Sequence, residues 1–284
     1  ETQSVDVNGL PNVSFSGFDA AYCEDDATAY TLVGLPSGGT FSGSGISADQ
    51  FTPSAANNGT HVITYSYTDA FGCSSSEQQS TVVNEIPVVS FTGLSAAYCE
   101  DASNVSLIGT PSGGTFAGPG IIGNSFSPVA ATSGLHTIVY TYTDGSGCTN
   151  TSVQQVTVND LPLPVITPSG ASEICAGENI TLDAGAGFAS YLWSNGANGQ
   201  SITVSNADDY SVTVTTSAGC VGTSADVTVI VNALPVVDLG SDTIVCTGTT
   251  VALDAGNPGL DYSWSTLEIT QSITVSTTGV YSVH

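Results

Sequence analysis

The residues of this chain best suited to chemistry are its seven cysteines, and the chemistry they imply is oxidation in pairs. Cys23 and Cys73, Cys99 and Cys148, and Cys175 and Cys220 succeed one another at separations of 50, 49 and 45 residues. In each couple one cysteine stands near the start of a repeated segment, the other in a Gly-Cys turn before its last strand. That placement predicts disulfides within segments: Cys23–Cys73, Cys99–Cys148 and Cys175–Cys220. Segments of this size bury a marginal core and are commonly cross-linked. In the chain-entropy view, closing about 50 residues is worth roughly 4 kcal/mol. A zinc site would want Cys-x-x-Cys spacing or clustered histidines, and neither is present. Disulfides imply an oxidising, extracytoplasmic setting. Cys246 is left over, its partner expected outside these residues.

The remaining candidates are acids. The chain has 25 Asp and Glu and no Lys or Arg, a formal charge of −25. Nucleic acid is excluded as a partner for want of cations to meet its phosphates. Docking on anionic lipid is disfavoured for the same reason, and no apolar run is long enough to insert in a membrane. Acids grouped at Glu24, Asp25 and Asp26, at Glu100 and Asp101, and at Asp208 and Asp209 offer hard oxygen donors suited to calcium. They lack the D-x-D-x-D-G loop of a dedicated site, so they read first as solvated turn acids, with weak calcium binding as the rival; no other cofactor is expected. Three histidines give little to build an active site from. His61 and His136 share one repeat position and read as structural, and His284 is the last residue. No nucleophile elbow, H-E-x-x-H or phosphate-cradling loop occurs, so the chain is not read as an enzyme. Trp193 and Trp264 read as sandwich-core residues. As exposed planes they would instead make a glycan platform.

These residues are positioned by a repeat. The motif of alternating valines, then Asn, one residue, Leu or Ile, and Pro is written four times, as SVDVNGLP (4–11), STVVNEIP (80–87), QVTVNDLP (155–162) and TVIVNALP (228–235). Period-2 Val/Thr alternation is the mark of a half-buried strand. The closing Pro cannot donate to a ladder and stiffens the passage onward. Each copy therefore reads as a last strand plus a hinge. The expected fold is all-β, a tandem array of immunoglobulin-like β-sandwiches: a last-strand-like segment at 1–9, then modules at 10–84, 85–160 and 161–233, and an incomplete module at 234–284. The first two are close copies, sharing AAYCED (20–25, 96–101) and PSGGTF (36–41, 111–116). Alternation in HVITYSYTDAFGC (61–73) sets His61, Ile63, Tyr65 and Tyr67 on one face, expected to pack inward. Gly-Gly in PSGGTF suits a tight turn. The last two modules form a second type, with Cys175, the LDAG at 182–185, Trp193, QSITVS (200–205) and Tyr210 recurring 71 residues later.

The phrases AAYCED, PSGG-TF, H-I-Y-YTD--GC, ITLDAG, Y-WSNG, QSITVS and YSVTVT resemble Ig-like and PKD-like repeats of very large cell-surface proteins of Bacteroidetes, including gliding-motility-associated adhesins. Nearly the whole chain is covered. The resemblance implies β-sandwich modules, export by the type IX route and a spacer or adhesive role at the cell surface. Asp242-Thr243-Ile244 fits the short pattern that such bacteria O-glycosylate, making Thr243 a glycosylation candidate.

The two ends carry the last expectation. Shifting the third module by 71 residues sets the fourth module's missing Gly-Cys near 291, while residues 1–8 resemble a final strand with no module of their own. Either both ends continue in sequence beyond these residues, Cys246 pairing about seven residues past the end, or residues 2–8 of one copy enter module four of the next. In both cases Val5 and Val7 pack in a sandwich core, with Leu10 and Pro11 at the junction. The function expected is an acidic, disulfide-linked extracellular stalk or filament, its partners being neighbouring copies or further modules and a surface glycan or other cell-surface ligand. The alternative is a set of carbohydrate-binding modules of a secreted enzyme.

Overall fold

The computed structural model describes residues 1–284. It is an all-β chain in two units, Glu1–Leu161 and Pro162–His284. No helix is long and apolar enough to cross a membrane.

In the first unit the same β-sandwich is built twice. The long hairpin Gly59–Thr68/Ser74–Asn84 is flanked by Thr40–Ser42 on one side and Ala21–Cys23 on the other. Its copy is Gly134–Thr143/Thr149–Asn159, flanked by Thr115–Ala117 and Ala97–Cys99. Short strands such as Ser14–Ser16 with Val33–Leu35, and their copies Ser90–Thr92 with Ile108–Thr110, close the other face. The expected alternation holds: Ile63 and Tyr65 are buried and His61 and Tyr67 half-buried, while Val62 faces out. The His61 ring bonds the Asn57 carbonyl at 2.9 Å, and His136 does the same to Thr132.

One detail differs from the Gly-Gly turn expected of PSGGTF. Gly38 takes the left-handed backbone, φ 95°. Gly39 is glycine for another reason: a Cβ there would stand 2.4 Å from the Ser66 carbonyl oxygen and 2.5 Å from the Tyr65 ring. Gly114 repeats the arrangement, with the Thr141 carbonyl oxygen at 2.3 Å and the Tyr140 ring at 2.6 Å.

In the second unit, Val227–Asn232 lies between Glu173–Cys175, parallel to it, and Asp208–Tyr210, antiparallel. Trp193 and Trp264 are buried, each donating its indole N–H to a carbonyl, Gly199 at 2.9 Å and Thr270 at 2.7 Å. They serve as core and leave no tryptophan plane for sugar stacking. Segment 234–284 has a smaller core, built on Ala255, Trp264 and Ile273, with the strand pair Val251–Asp254/Ser272–Val275. Where the preceding repeat holds Val227–Asn232, this one has an open groove of about 610 Å³, lined in part by Val245, Cys246, Val280 and Tyr281. Val245 is half-exposed there, while Ile174, its counterpart 71 residues earlier, is buried.

Residues 1–8 form no strand. Val5 and Val7 are 75 % and 90 % exposed, and Leu10 is exposed as well, so the core packing expected of the two valines is not found within the chain. The physical reason is occupancy: the neighbouring sandwich already holds its own last strand, Ser74–Asn84.

Candidate functional site: the junction between successive repeats

Each sandwich has its first cysteine at one end and its second at the other. Ala21–Cys23 pairs in parallel with the end of Ser74–Asn84, bringing Cys23 opposite Asn84. Cys73 precedes the start of that same strand. Eleven residues of extended chain separate the two levels by about 37 Å at ~3.4 Å per residue. A disulfide needs Cα atoms about 4.4–6.8 Å apart. The pairing Cys23–Cys73 is therefore impossible, and the geometry recurs with Cys99 opposite Asn159 and Cys148 just before Thr149.

The observed bond runs between repeats. Cys23 is joined to Cys148, with Cα atoms 5.6 Å apart and a sequence separation of 125. Cys99 and Cys220 are also disulfide-bonded, whereas Cys73, Cys175 and Cys246 are free. All three expected within-repeat pairs are thus corrected.

The linker is clamped beside this bond. Asn84 donates its side-chain amide to the Tyr22 carbonyl at 3.1 Å and accepts from Glu24 N–H at 2.9 Å through its own carbonyl. The recurring Asn of the VN-x-(L/I)-P motif thereby ties the last strand to the cysteine strand. Ile86 N–H lies 3.4 Å from Glu24 Oε1. Asn150, two residues after Cys148, donates to the Pro87 carbonyl at 2.9 Å. The chain therefore leaves one sandwich beside Cys23 and meets the next beside Cys148. In the second unit the linker is received alike: a Cβ on Gly222, two residues after Cys220, would stand 1.9 Å from the Pro162 carbonyl oxygen.

The turn that presents the second cysteine is preformed. Asp144 Oδ1 accepts from Ser146 N–H and Cys148 N–H, both at 2.9 Å, and Asp69 treats Phe71 and Cys73 identically. In the third repeat Thr216 Oγ1 replaces the carboxylate and accepts from Cys220 N–H at 3.1 Å.

The acids that follow the first cysteine do not assemble into the calcium-ligand groups their adjacency suggested. Among the described residues no three His, Cys, Asp or Glu side chains converge on a metal-sized site. Asp25 is exposed in the turn after Cys23, and Asp101 is exposed at the same turn position after Cys99. Their neighbours Glu24 and Glu100 are half-buried, and Glu24 is drawn to the linker at Ile86. Asp26 is engaged on its other side. Burial pushes its carboxyl up, but hydrogen bonds from Thr28 and from the Tyr30 hydroxyl (2.8 Å) outweigh it and hold Asp26 below the ordinary carboxylate range. Successive residues of this turn thus serve three different surroundings, which is why neighbours in sequence share no common centre. The bond to Asp26 raises the Tyr30 phenol, and burial raises that of Tyr22. Asp209 accepts from Thr228 at 2.6 Å, and Asp208 accepts from the Asp209 N–H at 2.9 Å. Thr243 stands in an exposed loop, its hydroxyl donating to the Ser241 carbonyl at 3.1 Å.

Sequence reasoning found every cysteine and missed the partners. The missing signal was the parallel pairing of the cysteine strand with the last strand, which leaves no mark on spacing or periodicity.

No known protein family describes this sequence, and no curated protein matches it. Similar solved structures include a calcium-stabilised adhesin with which an Antarctic bacterium binds ice, at 14% identity over 94% of this chain and 89% of that one, TM-score 0.31. The ICAM-5 D1–D4 ectodomain fragment is similar at 11% identity over 94% and 91%, TM-score 0.31. The Bacteroides ovatus mixed-linkage glucan protein SGBP-B is similar at 17% identity over 81% and 70%, TM-score 0.19.

Proposed function

We propose that this chain is an extracellular stalk of serially bonded β-sandwiches that holds or joins adhesive surfaces. The observation that carries this reading is the Cys23–Cys148 bond, which fastens one sandwich to the next beside a clamped linker. A bond inside each sandwich would stabilise single modules, whereas a bond between them resists bending and separation, which is a mechanical task. The acidic surface with no cation favours solubility and mutual repulsion. Following the resemblance of its repeats, we assign it to the gliding-motility-associated class of cell-surface proteins, exported by the type IX route, with a surface glycan or cell-surface ligand as target and Thr243 as an O-glycan acceptor. Divalent cations bind its turn acids weakly, Asp25 and Asp101 among them, on the order of millimolar.

The groove of segment 234–284 takes a strand of the same VN-x-(L/I)-P kind, in the register that TVIVN (228–232) holds in the preceding repeat.

Small-angle scattering tests the stalk. A compact globule of this length would have a radius of gyration of about 19 Å; a stalk gives a value well above it and a rod-like cross-section. A compact value would end the proposal.

A further inference from the structure

The second sandwich carries a cavity of about 250 Å³ beside its PSGGTF turn, lined from both Thr115–Ala117 and Ile108–Thr110. Its floor is Tyr140. Gly109 leaves room for that ring, since a Cβ there would stand 2.0 Å from it. The hydroxyl is fixed at both lone pair and proton, accepting from Gly114 N–H at 2.9 Å and donating to the Pro111 carbonyl at 2.5 Å. Phe116 forms a wall, half-buried, its ring centroid 4.6 Å from that of Tyr140. Ile108, Ser112 and Asn124 line the cavity from exposed positions. The Ser112 hydroxyl and the Asn124 amide make no hydrogen bond within the chain. Between them they offer donors and acceptors alike.

No lining residue is charged. The matching position of the first sandwich shows that this is a choice of residue. Asn124 and Asp49 are equivalent, each accepting through its backbone carbonyl from a leucine N–H, Leu107 and Leu32, at 2.8 Å. The second sandwich thus has an amide where the first has a carboxylate.

We propose that this cavity binds one uncharged sugar unit of a surface glycan. The proposal rests on the glycan target named above and supplies its site. The volume is just under the roughly 300–1,000 Å³ of pockets for drug-sized ligands, so it takes one small ring. A pyranose presents apolar C–H groups on its face, which suit Phe116 and Tyr140, and hydroxyls on its edge, which suit Ser112 and Asn124. A cationic ligand finds no carboxylate here. An anionic sugar meets a chain of net charge −25 with no Lys or Arg to pair with it. The floor is held in place before the ligand arrives, so little ordering opposes binding. A single ring of about a dozen heavy atoms then binds with a dissociation constant of the order of millimolar.

NMR of the isotope-labelled full chain tests this, with the methyl glycosides of glucose, galactose, mannose, N-acetylglucosamine and glucuronic acid as probes. At least one neutral glycoside should shift the Asn124 side-chain amide and the Gly113 and Gly114 N–H signals at millimolar concentration, and the glucuronide should not. Asn124→Ala should weaken the binding about fivefold. Ile108→Trp, which fills the mouth of the cavity, should abolish it. Both residues are exposed, so the fold survives, and unmoved signals elsewhere in the spectrum check that. Shifts that persist in Ile108→Trp, or a glucuronide that binds as well as the neutral sugars, overturn the proposal. Soluble neutral polysaccharides, mannan and β-glucan, separate the site from the glycan target. Binding to them that is equal in the wild type and Ile108→Trp defeats the cavity alone. No response to any sugar or polysaccharide defeats the glycan target with it.

Discussion

Tyr65 shows how narrowly single positions are specified. Its hydroxyl accepts from Gly39 N–H at 2.8 Å and donates to the Pro36 carbonyl at 2.5 Å, and its ring fills the space where Gly34 and Gly39 lack side chains. Gly34→Ala should therefore cost about 1–3 kcal/mol as an overpacked contact, seen as a lower denaturation midpoint. Tyr65→Ala, added to it, should make the alanine nearly neutral; a double variant no better tolerated than the sum of the two would contradict the contact. Asp26 provides a pH test. Its folded pKa is depressed, so its contribution is fully present above the ordinary carboxylate value, about 3.9, and is lost as pH falls through the folded one. Tyr30→Phe removes one donor, and NMR titration should show Asp26 moving up toward the ordinary range. An unmoved titration would show that the Tyr30 bond does not hold the carboxylate.

Strands and hairpins were the most legible level. Alternation in HVITYSYT placed Ile63 and Tyr65 inside and Val62 outside, because a strand with one buried face must alternate. Trp193 and Trp264 were readable as core because both hold the same register in two otherwise divergent segments. The recurring Asn and Pro marked strand end and linker, but not the hydrogen bonds from Asn84 and Asn150 that make the linker a fixed joint. The cysteine partners were illegible for a definite reason: a spacing near 50 residues fits a bond within one sandwich as well as one between two, and only the parallel pairing at Cys23 and Asn84 separates them. The consequence can be measured. Replacing Cys23 and Cys148 by Ser should leave each sandwich folded but uncouple them, so that calorimetry of the first unit resolves two transitions where the bonded form gives one. In the chain-entropy view the closed loop of 125 residues is worth about 5 kcal/mol. A single unshifted transition in the Ser variant would mean that packing alone couples the repeats.

Across the whole molecule the balance of charge is unusual, −25 with neither Lys nor Arg. No side-chain ion pair of the common kind can form, so salt has little attraction to screen and much repulsion. Raising the ionic strength from about 0.01 M to about 0.15 M, where the Debye length shrinks from ~30 to ~8 Å, should raise the thermal midpoint. A fall would show that some attractive electrostatic arrangement outweighs the repulsion.

The bond between Cys23 and Cys148 has one further consequence, for extensibility. When the first unit is stretched from its two ends, tension passes from Cys23 directly across to Cys148, and the stretch between them, a sequence separation of 125, carries none. At ~3.4 Å per residue that withholds about 430 Å of chain from any extension. In a single-molecule pulling trace the first unit should release only the short segments outside the bond until a reductant is added, and then yield the withheld length. A tether built this way breaks its covalent cross-link before it pays out slack.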